Sequence, residues 1–327
     1  MGPGMDALCR LAAMCACTFA AAAALASGAQ PPGPLRLVVP LPVGSAPDVT
    51  ARALAGPLSR SLDRPVLVEN RPGAAGSLGM VAVARAAPLG NVLGVATPST
   101  HTVYPAVYSR PAYDPLRDFA PVTELANSPE LLVVHPSLPA HDLGGLVAHL
   151  RARPGRIAYA STGNGTLGHL RAEFFKSTTG ASLVHIPYPG VRPALADLFA
   201  GVVQVHLAEL ALLLPHVRAG RLRPLAVSWP QRLSQLPAVP TFAEAGFAEC
   251  NEPLWVGLVA PAGTPQESLQ QLHVALREAL RTSALAEALA VHGVYPSGAG
   301  PERFASRLRR EFKRTSAVAG QLGLRLD

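Results

Sequence analysis

The chain has 327 residues, 49% of them hydrophobic and 15% charged, with a formal net charge of +7. That length accommodates two domains, and that balance supplies a sizeable core and excludes an intrinsically disordered chain. The excess charge is almost all arginine, and its densest cluster, RLRREFKR over 307–314, lacks interleaved aromatics; it reads as a solvated helix face rather than a nucleic-acid surface.

Residues 1–29 have the layout of a cleaved secretory signal peptide. Arg10 precedes an apolar run over 11–25, and small residues then offer a cleavage site at Ala24-Leu25-Ala26 or Ser27-Gly28-Ala29. This predicts an exported, periplasmic protein. Cys9, Cys15 and Cys17 fall in that segment, which leaves Cys250 without an internal disulfide partner and as a packing residue. The later apolar stretches are too short or too interrupted to span a bilayer.

From Leu35 onward, short apolar strands alternate with amphipathic helices. LRLVVPL predicts a strand, DVTARALAGPLSRSL a helix, PVLVENR a strand, GSLGMVAVARAA a helix and NVLGVATP a strand. LLVVHPSL opens a second series, in which IAYAS, SLVHIPY, VQVHLAEL and LRPLAVSW are strands and LGGLVAHLRARPG, LGHLRAEFFKSTTG and VRPALADLFAG are helices. LWVGLVAPAGTP then precedes three helical stretches that close the chain. This order predicts two α/β lobes, each a mostly parallel sheet flanked by helices. The chain crosses between them in TELANSPELLVV and again in FAECNEPLWVGLV, so the lobes are expected at 30–131 with 252–327, and at 132–251.

In open parallel sheets, ligands bind beyond the carboxyl ends of the strands, so the loops leaving the strands hold the candidate site. The first, PLPVGSAPD, places Gly44 and Ser45 ahead of a helix, with Asp48 able to cap its free N–H groups. The second, ENRPGAAGSLG, has glycines at a spacing that fits neither a dinucleotide fingerprint nor a P-loop. TPSTHT carries Thr97, Ser99 and His101; YASTGNGTLGH carries Ser161, Thr162, Gly163 and Thr166; HIPYPGVRPAL carries Pro189 and Gly190. Fixed cations are scarce in these loops, so an anion would be held by neutral donors. Ser161 with His169 leaves a hydrolase open as an alternative, although G-x-S-x-G, H-E-x-x-H and metal-ligand spacing are all absent. Asp48 and Glu209 are the main strand-exit acids, readable as a cap and a pocket wall.

Several segments taken together, in order, resemble one family: LVVPLPVGSAPDVTARALAGPLS, VLVENRPGAAGSLGM, YDPLRDFAPVTEL, IAYASTGNGTLGHLRAEFFKSTTG, HIPYPGVRPALADLFAGVVQV, AGRLRPLAVSWPQRLSQLPAVPTFAEAGF and WVGLVAPAGTP. The chain is similar, from about Leu35 to its end, to the Bug or TctC-type extracytoplasmic solute receptors, the binding components of tripartite tricarboxylate transporters. The resemblance implies a type II-like periplasmic binding protein that closes like a Venus flytrap on a small organic acid, acidic amino acid or aromatic acid. It implies no catalysis, no cofactor and no metal. The implied partners are membrane permease subunits, or a membrane sensor protein in the alternative reading, with the receptor itself a monomer. By the same resemblance Val43, Gly44, Ser45 and Asp48 grip one end of the ligand, and Ser161, Thr162, Gly163 and Thr166 the other. Thr97, Ser99, His101, Pro189 and Gly190 complete the pocket. The chain departs from the family pattern at Ser45, where a second glycine is usual, and at Leu89 and Asn91. It departs again at Glu209, a carboxylate in a pocket-facing segment that would repel an acidic ligand.

Overall fold

A computed structural model describes residues 33–327; the expected signal peptide, with Cys9, Cys15 and Cys17, lies outside the described residues. The first sheet contains β1 (Leu35–Val39), β2 (Val66–Asn70), β3 (Val92–Ala96), β4 (Phe119–Ser128), β10 (Leu254–Pro261) and β11 (Tyr295–Ala299), in the order β11-β4-β10-β3-β1-β2. The second contains β5 (Glu130–Val134), β6 (Ala158–Ser161), β7 (Val184–Pro187), β8 (Val205–Glu209) and β9 (Arg223–Val227), in the order β7-β6-β8-β5-β9. β1 pairs in parallel with β2 and β3, and β6 with β7 and β8. The strand entered after each crossing runs against its neighbours: β5 is antiparallel to β8 and β9, and β10 is antiparallel to β3 and β4.

Alternation explains the layers. Leu35, Leu37 and Val39 of β1 face α1 (Ala46–Ser61), α8 (Gln266–Leu280) and α9 (Ser283–Ala290), in a core with Leu54, Leu58, Leu272 and Leu276. Val38 points the other way, to Met80 of α2 (Ser77–Ala84) and to Phe304 and Leu308 of α10 (Pro301–Gln321). In β5, Leu132 and Val134 face α4 (Leu143–Ala152) and α5 (Leu167–Thr179); Leu131 and Val133 face α6 (Val191–Phe199) and α7 (Leu210–Arg218). Each of these strands is buried on both faces over most of its length, hence its largely apolar sequence, broken by Arg36 in β1 and by Glu130 at the start of β5.

The chain leaves the first sheet at Ser128 and enters the second at Glu130, with Pro129 alone between them; it returns through 251–253 into β10. One crossing is thus a single residue, and the two lie side by side. β4 and β11 are strands that the sequence reading does not include. β4 carries Pro121, Glu124 and Asn127 at its interior, which argues against a central strand until their partners are known. Glu124 accepts from Arg307, Ser297 and Asn127, so its charge is met inside the fold.

The basic cluster over 307–314 is only partly a solvated face. Arg309, Arg310 and Lys313 are exposed, but Arg307 is 13% exposed and bonds Glu124, Glu311 and the Pro253 carbonyl. Cys250 is a free thiol, half-buried, and burial pushes it up to about 11, which suits a packing residue. Among the described residues, no helix is long and apolar enough to cross a membrane.

Candidate functional site

A cavity of about 740 Å³ lies between the two sheets, walled by strand-exit loops of both. From the first lobe it takes Pro40, Leu41 and Pro42, then Pro72, Gly73, Ala75 and Gly76, then Ser99. α3 (Tyr104–Val107) adds Tyr104 and Val107, and Tyr108 follows it. From the second lobe it takes Ser161 to Thr166 apart from Gly163, with Leu207, Ala208 and Glu209 of β8, Val191 of α6 and Leu212 of α7. Leu326, near the C-terminus, completes the wall.

The glycines of ENRPGAAGSLG have a packing purpose. Gly76 has φ +87°, and a Cβ there would lie 2.7 Å from Thr100 Cγ2 and 3.2 Å from the Pro40 carbonyl. The absence of a side chain lets the exits of β1 and β2 and the Ser99–Val103 π-turn close up into one wall. This loop lines the cavity, although its motif has no nucleotide spacing.

The first loop is held from behind. Gly44 takes the positive φ, +84°, while Ser45 sits at φ −68° and donates its hydroxyl to the Pro42 carbonyl at 2.7 Å. The left-handed position is therefore glycine, and serine is accommodated without strain. Asp48 is not a helix cap: Ser45 holds the N-cap position, and Asp48 is 1% exposed. Its carboxylate accepts from the Gly44 amide at 2.9 Å, Arg52 Nε at 3.0 Å and Asn70 Nδ2 at 2.8 Å. Burial works against that charge, but these donors together hold the carboxyl below its ordinary value. Asp48 thus fixes the loop rather than facing the cavity. Val43, Gly44 and Ser45 follow directly on Pro42 but do not line the cavity, and Val43 is 71% exposed.

Thr97 and His101 are likewise buried scaffolding. The Thr97 amide donates to Thr100 Oγ1 at 3.1 Å, and His101 Nδ1 meets the same hydroxyl at 3.0 Å. The centroid of the His101 ring lies 4.9 Å from that of Phe119, its Nε2 has no partner among the described residues, and burial pushes it down to about 3. Of the three residues read from TPSTHT, Ser99 alone lines the cavity. Pro189 and Gly190 do not, although the next residue, Val191, does.

In the second lobe, Ser161 is buried, and its hydroxyl shares a 2.6 Å hydrogen bond with His185 Nε2. It also accepts from the Gly163 amide at 3.1 Å, and Thr166 Oγ1 donates to the Gly163 carbonyl at 2.8 Å. His169 is not the partner of Ser161; its Nδ1 accepts from the Gly165 amide, and its ring stacks on His185 at 3.9 Å. Burial and the His169 ring push His185 down to about 4, so it is neutral at pH 7. A hydrolase would need a third group orienting His185. Glu173, the carboxylate whose charge acts on His185, is instead bonded to the Tyr159 hydroxyl and Lys176. Ser161 and His185 tie the loop to β7. The side chains of Ser99, Thr162 and Asn164 line the cavity and make no hydrogen bond to other described residues, so they are open to a ligand.

Residues 50–324 match the sequence profile of the Tripartite tricarboxylate transporter family receptor. This chain belongs to that receptor family. Protein BugT of Bordetella pertussis is 36% identical over 94% of this chain and 95% of its own length. A protein of R. palustris solved with adipate is 33% identical, with a TM-score of 0.73 over 90% of this chain and 99% of that one. MatC from Rhodopseudomonas palustris, with bound malate, is 29% identical, with a TM-score of 0.70 over 88% and 99%. The two sheets flanked by helices are thus the fold of solved receptors of this family. Asn164, Tyr104, Tyr108, Val107 and Leu326 are cavity residues that sequence reasoning missed. The Asn164 signal lay in its polar side chain between two glycines of a strand-exit loop. The tyrosines pack against one another, rings tilted by 37° with centroids 4.6 Å apart, and resemble ordinary core residues in sequence.

Proposed function

We propose that this protein is an exported, periplasmic receptor that captures a small carboxylate-bearing solute between its lobes and delivers it to the membrane permease of a tripartite transporter. Its lobes, expected at 30–131 with 252–327 and at 132–251, join at the adjacent crossings, Pro129 and 251–253, and close about them. One observation carries this reading: the 740 Å³ cavity is built from strand-exit loops of both sheets, in a chain of the receptor family. Ser99, Thr162 and Asn164 supply neutral donors, each hydrogen bond to a carboxylate contributing about 1.5–3 kcal/mol. The Thr97–Thr100 hydrogen bonds hold the turn that carries Ser99, and those within the Ser161–Thr166 loop hold the segment that carries Thr162 and Asn164. The relatives solved with adipate and malate support an organic acid as the ligand class.

The experiment is thermal denaturation of ligand-stripped protein against a panel of mono- and dicarboxylates and amino acids. A ligand that binds only the folded state raises Tm by mass action. At least one acid is expected to raise it in a saturable way; no shift with any compound overturns the reading. Affinity capture of the permease subunits, with and without that acid, tests delivery.

A further inference from the structure

The charges around the cavity do not suit a ligand that is anionic at both ends. Among the described residues, no lysine or arginine lines it, and its charged wall is Glu130 and Glu209. The Glu130 carboxylate is met by Arg171 Nη1. Among the described residues, no donor reaches the Glu209 carboxyl, which ends β8 at the cavity and opens α7. The guanidinium thus serves Glu130, and the Glu209 carboxyl is left open to the cavity. Glu209 touches the water of the cleft, yet protein surrounds it closely enough that enclosure and the Glu130 charge push its carboxyl up. A second ligand carboxylate here would repel it, whereas a cation would relieve it. Between the polar points the wall is apolar, with Val107, Tyr108, Leu207, Leu212 and Leu254.

Resting on the receptor reading above, we propose that the end of the cavity where β8 meets α7 takes an ammonium group, with Glu209 as its specificity-determining partner. The ligand is then a zwitterion with an apolar body: an ammonium on Glu209, and a carboxylate left to the Ser99, Thr162 and Asn164 donors.

Matched pairs test this. 6-Aminohexanoate and adipate have the same chain length and differ only in one terminal charge; shorter and longer homologous pairs extend the series. Calorimetric titration of ligand-stripped protein, wild type and Glu209→Gln, gives the affinities. The inference expects the amino acid of the best-fitting pair to bind the wild type at least tenfold more tightly than its dicarboxylate. It expects that preference to collapse in Glu209→Gln, whose exposed site leaves folding intact, as an unchanged Tm would verify. A dicarboxylate that binds the wild type as tightly, or a preference that survives Glu209→Gln, overturns the inference and leaves the receptor reading standing. Binding of no carboxylate in this series or in the panel overturns both.

Discussion

At the residue scale, the polar side chains behind the cavity are fixed by their own partners, and their removal should loosen loops rather than abolish chemistry. Asp48 gathers a backbone amide, Arg52 and Asn70 on one buried carboxylate. Asp48→Asn keeps the shape but loses the charge, and should cost about 2 kcal/mol in urea unfolding at pH 7. The folded carboxyl releases its proton more readily than the ordinary Asp value of 3.8. Its stabilisation is therefore complete above that value and is lost as pH falls through the lower folded one. The gap between wild type and Asp48→Asn should close in that acid window, read as Tm against pH. Ser161 makes a second case. Ser161→Ala removes the Ser161–His185 tie and should weaken ligand binding by about 1 kcal/mol, roughly fivefold. Hydrolysis of a p-nitrophenyl ester should stay at the buffer rate in both proteins; a wild-type rate above it that disappears in Ser161→Ala would revive the hydrolase.

At the scale of elements, β10 and α10 meet at one point of close approach. A Cβ on Gly257 of β10 would lie 2.1 Å from Phe304 Cζ and 2.6 Å from its Cε1, and the Phe304 ring is fully buried. The ring has no room to retreat, so Gly257→Ala should cost about 3 kcal/mol by overpacking. The urea midpoint should fall with an unchanged slope if the contact alone is lost. The same strands mark how far the sequence could be read. β1, β3 and β5 announce themselves because both of their faces are mostly apolar, and the strand-exit positions of Ser99, Ser161, Thr162, Thr166 and Glu209 follow from β3, β6 and β8, which the sequence also shows as strands. β4 does not, because Glu124 is tolerable only beside Arg307, some 180 residues away in sequence. β11 is hidden by Pro296 and Gly298. The cavity wall at Leu326 is hidden for a related reason: its amide donates to the Val107 carbonyl at 2.8 Å, a contact between distant parts of the chain that no local pattern encodes.

At the scale of the whole molecule, the two crossings are joined by one guanidinium. Arg171 of α5 bonds Glu130, the first residue after the outward crossing, and donates to the Glu252 carbonyl in the return crossing at 2.7 Å. The Glu252 carboxylate in turn accepts from Arg314 of α10 at 2.5 Å, so a second-lobe helix and a first-lobe helix hold the same residue, one by its backbone and one by its side chain. Glu130 and Arg171 are 5% and 14% exposed, and a buried pair of this kind does more harm half-removed than wholly removed. Arg171→Met should therefore cost about 3 kcal/mol, while Arg171→Met with Glu130→Gln should recover part of it, because no buried charge is then left without a counterion. Burial already pushes Glu130 up in spite of Arg171, and loss of the guanidinium pushes it further. A folded carboxyl that holds its proton more tightly than the unfolded one gains stability as pH falls through its folded value. The deficit of Arg171→Met should thus shrink on acidification, opposite in cause to the Asp48→Asn case, and the double variant should not share that pH dependence. Unfolding of all four proteins, measured from pH 7 down to pH 4.5, reads the cycle. A double variant no more stable than Arg171→Met at every pH would mean that the guanidinium acts through packing and the Glu252 carbonyl alone.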